Sequence, residues 1–266
     1  MKIPRIGSPR LMGRLFRASR KPNQGTRLKK TILFLGALFL FASSLGAETL
    51  PPPPMDRLLE EGRSTLQIAA LEKLRTALEP CAGAVNADFD CQIRLARTCY
   101  YLSFAYELQK QRDPGEKALE QGLKTALAAE KEKDDSAEIH SLLADIYNRK
   151  IVPYGDMFTG MDCGPKVGAE NQKALALDPE NAGVQASLGR QYLAAPPAFG
   201  GDVKKAVECF KKSLALNPQS DETLYWLARA YGKLKDPENR EKALKNALQL
   251  NPKNVLVQNE IQFPSK

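Results

Sequence analysis

The chain offers few side chains of the kinds that catalyse reactions. His140 is the only histidine among 266 residues, so a Ser–His–Asp or Cys–His set would have to form around this single residue. The sequence contains no CxxC, HExxH or Walker loop, and no Cys/His cluster has the spacing of a zinc site. We therefore expect a protein that is not an enzyme, binds no metal and uses no cofactor, with His140 packed inside the fold.

The five cysteines are the next candidates for chemistry. Cys81 and Cys91 flank a short turn between two predicted antiparallel helices, so a disulfide there is geometrically easy in an oxidising compartment. Two free thiols are the open alternative. Cys163 falls in a long predicted loop, where it is either a reactive thiol or an inert one. Cys209 is expected to be exposed or half-buried.

The charge of the chain is distributed unevenly. The net charge of +8 is typical of proteins that bind nucleic acids or membranes. Residues 1–47, however, contain ten basic residues and no acidic ones, whereas residues 48–266 contain 29 basic and 31 acidic residues. Because the positive excess is confined to the first segment, we expect no nucleic-acid partner, and contact with a membrane only through that segment.

The first segment has the layout of an export signal. Residues 31–42 form an uninterrupted apolar run between basic residues and a stretch of small ones, an order that is typical of secretory signals. We predict that residues 1–47 are a cleaved signal or, alternatively, an uncleaved membrane anchor. The rest of the chain would then be exported, either as a periplasmic protein or anchored to the inner membrane and facing the periplasm. Residues 48–55 include four consecutive prolines and predict a stiff linker.

The remaining sequence contains internal repeats. Pro218 and Pro252 are 34 residues apart and each follows a Leu-Asn pair, and Pro179 ends a similar segment 39 residues before Pro218. A period of 34 residues is typical of helix–turn–helix repeats. A large residue, a small residue and then a tyrosine recur four times, as Leu102-Ser103 with Tyr106, Leu143-Ala144 with Tyr147, Leu188-Gly189 with Tyr192, and Leu227-Ala228 with Tyr231.

These motifs resemble the tetratricopeptide repeat (TPR) family from about residue 96 to residue 254. The resemblance implies an all-α solenoid of helix–turn–helix repeats that forms a right-handed superhelix, in which the small residue allows close helix packing and proline stops the second helix. We assign the repeat domain to residues 56–254, with the best repeats at 182–254 and a capping segment at 255–266. Residues 56–79 predict one amphipathic helix.

Two insertions interrupt the repeat pattern, at about residues 150–165 and 194–201. Insertions in solenoids map to loops on one face, which is often the binding face. We expect Gly200 and Gly201 to form a turn and Asp202 to cap the helix that starts at Val203. The Pro-x-Phe-Gly-Gly-Asp motif here resembles a loop of exported bacterial TPR proteins, among them accessory subunits of TRAP-type transporters.

A TPR stack presents its first helices along a concave groove. Alignment of the four repeats places Arg190 and Arg229 at equivalent positions in adjacent repeats, with Lys233 one turn beyond Arg229. Such a cluster would bind a carboxylate, a phosphate or an acidic peptide, and the alternative is that the arginines pair with Asp145 or Glu222. The predicted groove residues are Tyr100, Phe104, Asp145, Asn148, Arg149, Arg190, Tyr225, Arg229 and Lys233.

Two functions are consistent with these patterns. The first is a non-enzymatic scaffold that binds a protein or an acidic peptide in the periplasm or at the membrane. The second is an accessory subunit of a TRAP-like uptake system, in which the two insertions form a pocket for a small anionic ligand over the groove. The sequence alone does not separate them, because TPR stacks use one fold for many ligands.

Overall fold

The computed structural model describes residues 52–82 and 87–264, which form helices and no strand. The predicted all-α architecture is therefore confirmed for this part of the chain. The helices are α1 (Pro52–Thr65), α2 (Ile68–Ala82), α3 (Phe89–Leu108), α4 (Arg112–Glu132), α5 (Ala137–Ile151), α6 (Met157–Leu177), α7 (Ala182–Ala194), α8 (Val203–Leu216), α9 (Asp221–Lys233), α10 (Pro237–Leu250) and α11 (Val255–Gln262). No helix among these residues is long and apolar enough to cross a membrane.

Consecutive helices pack as hairpins, in the pairs α3–α4, α5–α6, α7–α8 and α9–α10. The small residue of the repeated motif lies where the two helices approach. At Gly189, an added Cβ would lie 2.5 Å from the ring of Phe210, and that ring is fully buried. The first helices also touch one another along the array, α5 with α7 and α7 with α9.

Polar caps start the helices of the C-terminal repeats. The carboxylate of Asp202 accepts hydrogen bonds from the backbone N–H groups of Lys204 and Lys205, which confirms its predicted role as the cap of α8. Gly200, two residues earlier, has a φ of 86°, a left-handed conformation that glycine adopts without steric cost. The turn and cap together fix the direction in which α8 leaves the second insertion.

The N-terminal helix differs from its prediction. The single helix expected over residues 56–79 is two helices, α1 and α2, because the chain breaks at Leu66, where φ is 46°. Leu66 is buried, so packing stabilises the kink against its intrinsic strain. Helix α1 begins at Pro52, inside the predicted linker of residues 48–55, since proline is tolerated in the first turn of a helix. The predicted segment 1–47 lies outside the described residues.

The first insertion is also more ordered than predicted. Most of residues 150–165 belongs to the ends of α5 and α6 rather than to a loop, and Asp156 caps α6 by accepting from the N–H of Thr159. Cys163, predicted in a loop, lies on α6 and is 3% exposed. The prediction that Cys163 lies in a loop is therefore wrong. Burial raises the pKa of its thiol, which favours the inert thiol of the two alternatives.

The helical array closes on itself. Val257 of α11 belongs to the same buried cluster as Leu224 of α9, and α11 also contacts α1. Arg63 of α1 donates to the carboxylate of Asp221 at the start of α9, with an N–O distance of 2.7 Å. Asn251 bridges the same junction, donating to Asp221 and to the hydroxyl of Ser64. The first and last parts of the repeat domain are therefore joined through α1, α9 and α11.

Candidate functional site

The inner face encloses a cavity of about 780 Å³, which we call the inner chamber. Helices α3, α5, α7, α9 and α11 supply most of its walls, because these helices line the inside of the array. All nine groove residues predicted from the sequence lie in these walls: Tyr100, Phe104, Asp145, Asn148, Arg149, Arg190, Tyr225, Arg229 and Lys233. The closure of the array turns the predicted groove into a chamber of ligand size.

Arg190 is committed to a buried ion pair. Its Nε donates to Asp145 at 2.8 Å, a second guanidinium nitrogen contacts the same carboxylate, and Glu222 lies 3.7 Å away. Burial alone would lower the pKa of Arg190, but the carboxylate of Asp145 outweighs it and raises that pKa. Both side chains are about 90% buried, so this pair supports the structure of the chamber wall. Of the two alternatives for Arg190, a ligand-binding arginine or one paired with an acidic residue of the chain, the structure shows the second.

Arg149 is held in a similar way. Its guanidinium stacks on Phe104 at 3.6 Å from the ring centre, donates to the carbonyl of Ser103 at 3.1 Å, and pairs with the carboxylate of Glu107. Tyr154, which follows α5, donates to the same carbonyl at 2.6 Å. These contacts fix the position of Arg149 and neutralise its charge.

Arg229 and Lys233 differ from these two arginines. Arg229 lies over the rings of Trp226 and Tyr225, at 5.1 and 5.8 Å from their centres, and no carboxylate of the described residues is within ion-pair distance of it. Lys233 donates to the carbonyl of Leu193 at 2.7 Å. Burial and the neighbouring charge of Arg229 lower the pKa of Lys233. The two cations therefore repel each other and would both be stabilised by an anion.

The charges around the chamber do not balance. Its lining contains five basic residues, Lys110, Arg149, Arg190, Arg229 and Lys233, and three acidic ones, Glu107, Asp145 and Glu260. The acidic groups are already used, because Glu107 pairs with Arg149, Asp145 with Arg190, and Glu260 with Arg240 outside the lining. Three basic residues of the lining, Lys110, Arg229 and Lys233, therefore have no ion pair with a described carboxylate, and two of them, Arg229 and Lys233, lie one turn apart on α9.

One wall of the chamber is aromatic. Tyr100 and Phe104 meet edge to face at 5.1 Å between ring centres, and Trp226 meets Phe104 at 6.4 Å and Tyr225 at 5.0 Å. The sequence analysis missed Trp226, although it is the only tryptophan of the chain and directly follows a predicted groove residue. The rings join α3 to α9 and give the chamber an aromatic wall, on which the guanidinium groups of Arg149 and Arg229 lie.

A second, smaller cavity of about 400 Å³ lies on the other side of the buried ion pair. Tyr100, Asp145 and Arg190 line both cavities, and Glu60 and Arg63 of α1 line only the smaller one. The Asp145–Arg190 pair therefore contributes to the partition between the two. Truncation of either partner would open one cavity towards the other.

Each insertion lines a cavity of its own, and one residue of each also reaches the inner chamber. The cavity beside residues 150–165 is lined by Tyr154, Phe158 and their neighbours, whereas the cavity beside residues 194–201 is lined by Pro196, Pro197 and their neighbours. These two cavities share no lining residue. The inner chamber is lined by Val152 of the first insertion and Ala194 of the second, so a pocket to which both insertions contribute stays a prediction.

The cysteines have structural surroundings. Cys91 is buried and disulfide-bonded, and the side chain of Cys81 lies outside the described residues, so the pairing of these two stays a prediction. Cys99, Cys163 and Cys209 are free thiols. Burial raises the pKa of Cys99 to about 12, which suppresses the thiolate that would react.

Comparison with solved structures identifies the fold. TTC0263, a thermophilic TPR protein of Thermus thermophilus, is similar in structure, with a TM-score of 0.54 and 16% identity over 78% of this chain and 97% of that chain. The HusA haemophore of Porphyromonas gingivalis is similar with a TM-score of 0.52 and 16% identity over 78% of this chain and 96% of that chain. These structures share the fold, which confirms the TPR prediction.

Sequence comparison gives the family. No curated protein matches the sequence. The sequence model of a family described as the TRAP transporter T-component matches residues 95–259. That range begins in α3 and ends in α11, and it contains every chamber-lining residue except Glu260 and Phe263. Because this match covers more than half of the chain, the chain belongs to the TRAP transporter T-component family.

Proposed function

We propose that this protein is an exported accessory subunit of a TRAP-type uptake system and that its inner chamber binds a small organic anion. The observation that carries the proposal is the pair Arg229 and Lys233, two cations beside an aromatic wall that have no carboxylate partner among the described residues. Residues 1–47 would direct export or anchor the chain to the inner membrane, with the repeat domain in the periplasm.

The chamber favours a ligand with one charged end and an apolar body. A carboxylate or sulfonate beside Arg229 and Lys233 would relieve the repulsion between them and accept charge-assisted hydrogen bonds. The rings of Phe104 and Trp226 offer flat apolar surface for the rest of the molecule. A volume of about 780 Å³ falls within the range of about 300–1,000 Å³ found for ligand pockets.

Titration with an aromatic anion tests the proposal. Anilinonaphthalene sulfonate has the required chemistry, and Trp226, as the only tryptophan, reports binding in the chamber by quenching and energy transfer. The double variant Arg229→Gln/Lys233→Gln should lose at least about tenfold in affinity, which corresponds to about 1.4 kcal/mol. The control Lys242→Gln/Lys245→Gln makes the same charge change on exposed positions of α10. Equal affinity in the two double variants would contradict the chamber assignment.

A scaffold function has its own supporting observation. Met157, Phe158 and Met161 at the start of α6 are 71%, 72% and 65% exposed. Exposed apolar groups of this kind often mark contacts with another protein. A partner of the uptake system would then dock on the outer surface while the ligand occupies the chamber.

Substitution of the exposed residues separates the two functions. The triple variant Met157→Ser/Phe158→Ser/Met161→Ser should abolish co-purification of a partner and leave binding of the sulfonate probe unchanged. The Arg229→Gln/Lys233→Gln variant should show the reverse. If co-purification instead depends on Arg229 and Lys233, the partner reaches the chamber, and the scaffold function takes precedence over ligand binding.

A further inference from the structure

Three side chains that could bind a metal meet where α4, α5 and α6 pack together. Glu130 comes from α4, His140 from α5 and Glu170 from α6, and their ligand atoms all lie within 4.8 Å of one another. His140 Nδ1 is 2.6 Å from Glu170 and 3.7 Å from Glu130. His140 is only 2% exposed. The cluster is outside the inner chamber, whose lining contains none of these residues.

The hydrogen bond on the other side of the imidazole fixes its orientation. His140 Nε2 lies 2.8 Å from the carbonyl oxygen of Asp134. Because a carbonyl only accepts hydrogen bonds, Nε2 donates to it, and Nδ1 is the nitrogen that faces the two carboxylates. An ionised carboxylate also only accepts, so the 2.6 Å contact at Nδ1 contains a proton, which a metal bound at Nδ1 would release to solvent. A carbonyl or carboxylate partner of this kind is characteristic of histidines that bind metals, since it orients the ring and sets its tautomer.

A cation already occupies the space beside the carboxylates. Lys173 Nζ lies 3.1 Å from Glu130 and 3.0 Å from Glu170. The lysine side chain is 50% exposed, so it can move into solvent without leaving a buried charge behind. The carboxylates of Glu130 and Glu170 are only 20% and 12% exposed and need a positive partner in either arrangement.

We propose that Glu130, His140 and Glu170 form a binding site for a divalent transition metal, with Lys173 as the internal cation that the metal displaces. One imidazole and two carboxylates suit Zn²⁺, which accepts nitrogen and oxygen ligands in a tetrahedral arrangement. Ligand atoms around a tetrahedral zinc with bonds of about 2.1 Å are about 3.4 Å apart. The 3.7 Å separation already fits this geometry, and the 2.6 Å contact must open by less than about 1 Å.

The site would fasten neighbouring repeats together. Glu130 belongs to the hairpin α3–α4, whereas His140 and Glu170 belong to the hairpin α5–α6, so a shared metal links the two. The charge of the ion matches that of the two carboxylates, which leaves the site neutral when Lys173 moves out. The sequence expectation of no metal site rested on local spacing, and these ligands are 10 and 30 residues apart in the chain.

Zinc titration of the single histidine tests the proposal directly. Because His140 is the only histidine, isotope-labelled histidine gives one pair of imidazole nitrogen signals for the whole chain. The chain is purified without a polyhistidine tag, and Cys209→Ser removes the most accessible of the described free thiols. Zn²⁺ should shift the Nδ1 signal and leave Nε2 protonated, with calorimetry giving one ion bound per chain. Binding without any change at Nδ1 would overturn the proposal.

Three substitutions then distinguish a metal site from a purely structural ion pair. Glu130→Gln and Glu170→Gln should each lower zinc affinity by at least roughly 10–100-fold, since loss of a partner that only orients a ligand already costs that much. Lys173→Met should raise it by roughly threefold or more, because it removes a competing charge about 3 Å from both carboxylates. Lys166→Met is the matched control on α6, since Lys166 pairs only with Asp162 among the described carboxylates, and it should leave the affinity unchanged.

Each result decides the question. If Lys173→Met leaves zinc affinity equal to that of the Lys166→Met control, the lysine does not compete for the site and the proposal fails. If neither the parent chain nor Lys173→Met binds Zn²⁺ at neutral pH, the cluster is an ion-pair network that stabilises the junction of α4, α5 and α6 and nothing more. Lys173 is half exposed, so this variant is expected to fold whatever the answer.

Discussion

Arg190 and Arg229 occupy the same position in adjacent repeats and have opposite surroundings. Arg190 is buried and paired with Asp145, whereas Arg229 lies on two aromatic rings without a carboxylate partner among the described residues. The repeat determines where the side chain points, and both point into the inner chamber. The repeat does not determine whether the side chain supports the structure or remains available to a ligand.

The neighbouring repeat decides between these roles. In the preceding repeat, the residue equivalent to Arg190 is Asp145, whose negative charge is complementary to that of Arg190. In the repeat that precedes Arg229, the equivalent residue is Arg190, which is positive and is already paired with Asp145. Arg229 therefore packs against Tyr225 and Trp226 of its own helix. Equivalent residues of a solenoid therefore acquire different functions from the sequence of the adjacent unit.

The largest predicted effect is the loss of the buried pair. Arg190→Ala should lower the free energy of unfolding by about 3–5 kcal/mol, because it leaves the carboxylate of Asp145 buried without its partner. Arg229→Ala, at the equivalent position, should cost less than about 1 kcal/mol. Urea denaturation of the two variants measures the difference. The double variant Asp145→Asn/Arg190→Gln, which removes both charges, should be more stable than Arg190→Ala, and a double variant that is less stable would contradict the pairing.

The residues just before the two arginines give the second contrast. Gly189→Ala should lower the free energy of unfolding by about 2–3 kcal/mol through overpacking, because its Cβ would lie 2.5 Å from the buried ring of Phe210. The equivalent residue of the next repeat is already alanine, and Ala228→Gly should cost about 1 kcal/mol through helix propensity. Thermal and urea denaturation measure both. If Gly189→Ala is neutral, the close approach of α7 and α8 is not required for the repeat.

The closure of the array gives a pH-dependent prediction. Burial of Asp221 would raise its pKa. The positive charge of Arg63 and the hydrogen bonds from Arg63, Asn254 and Asn251 outweigh this effect and lower the pKa of Asp221. A lowered pKa stabilises the fold above the unfolded-state value of about 4 and loses this contribution as pH falls through the folded-state value. Asp221→Asn should therefore cost about 1–2 kcal/mol at neutral pH.

The difference between parent and variant should begin to shrink below about pH 4 and should disappear once pH falls below the lowered pKa of folded Asp221, where the parent chain is also protonated at this residue. Urea titrations at neutral and acidic pH measure this convergence. Asp135→Asn, at an exposed turn position, is the control for removal of a carboxylate. A stability difference that remains constant down to strongly acidic pH would show that Asp221 acts through its hydrogen-bonding shape rather than its charge.

The repeat motifs predicted the helices and the chamber-lining residues because both depend on local periodicity. The closure was not predictable in the same way, since Arg63 and Asp221 are 158 residues apart and neither belongs to a motif. The break at Leu66 depends on burial and tertiary packing, which a single amphipathic stripe does not show. The sequence allowed either a ligand or Asp145 as the partner of Arg190. Only the structure shows that Asp145 is the partner.

The smallest effect on stability is expected at Arg229, and it separates charge from stacking in the chamber. Arg229→Lys keeps the positive charge but removes the planar group that lies over Tyr225 and Trp226. Its free energy of unfolding should fall by less than about 1 kcal/mol. Affinity for the sulfonate probe, measured by Trp226 fluorescence, should lie between those of the parent and Arg229→Gln. If the lysine variant binds no better than the glutamine variant, the guanidinium plane, and not its charge, makes Arg229 differ from Arg190.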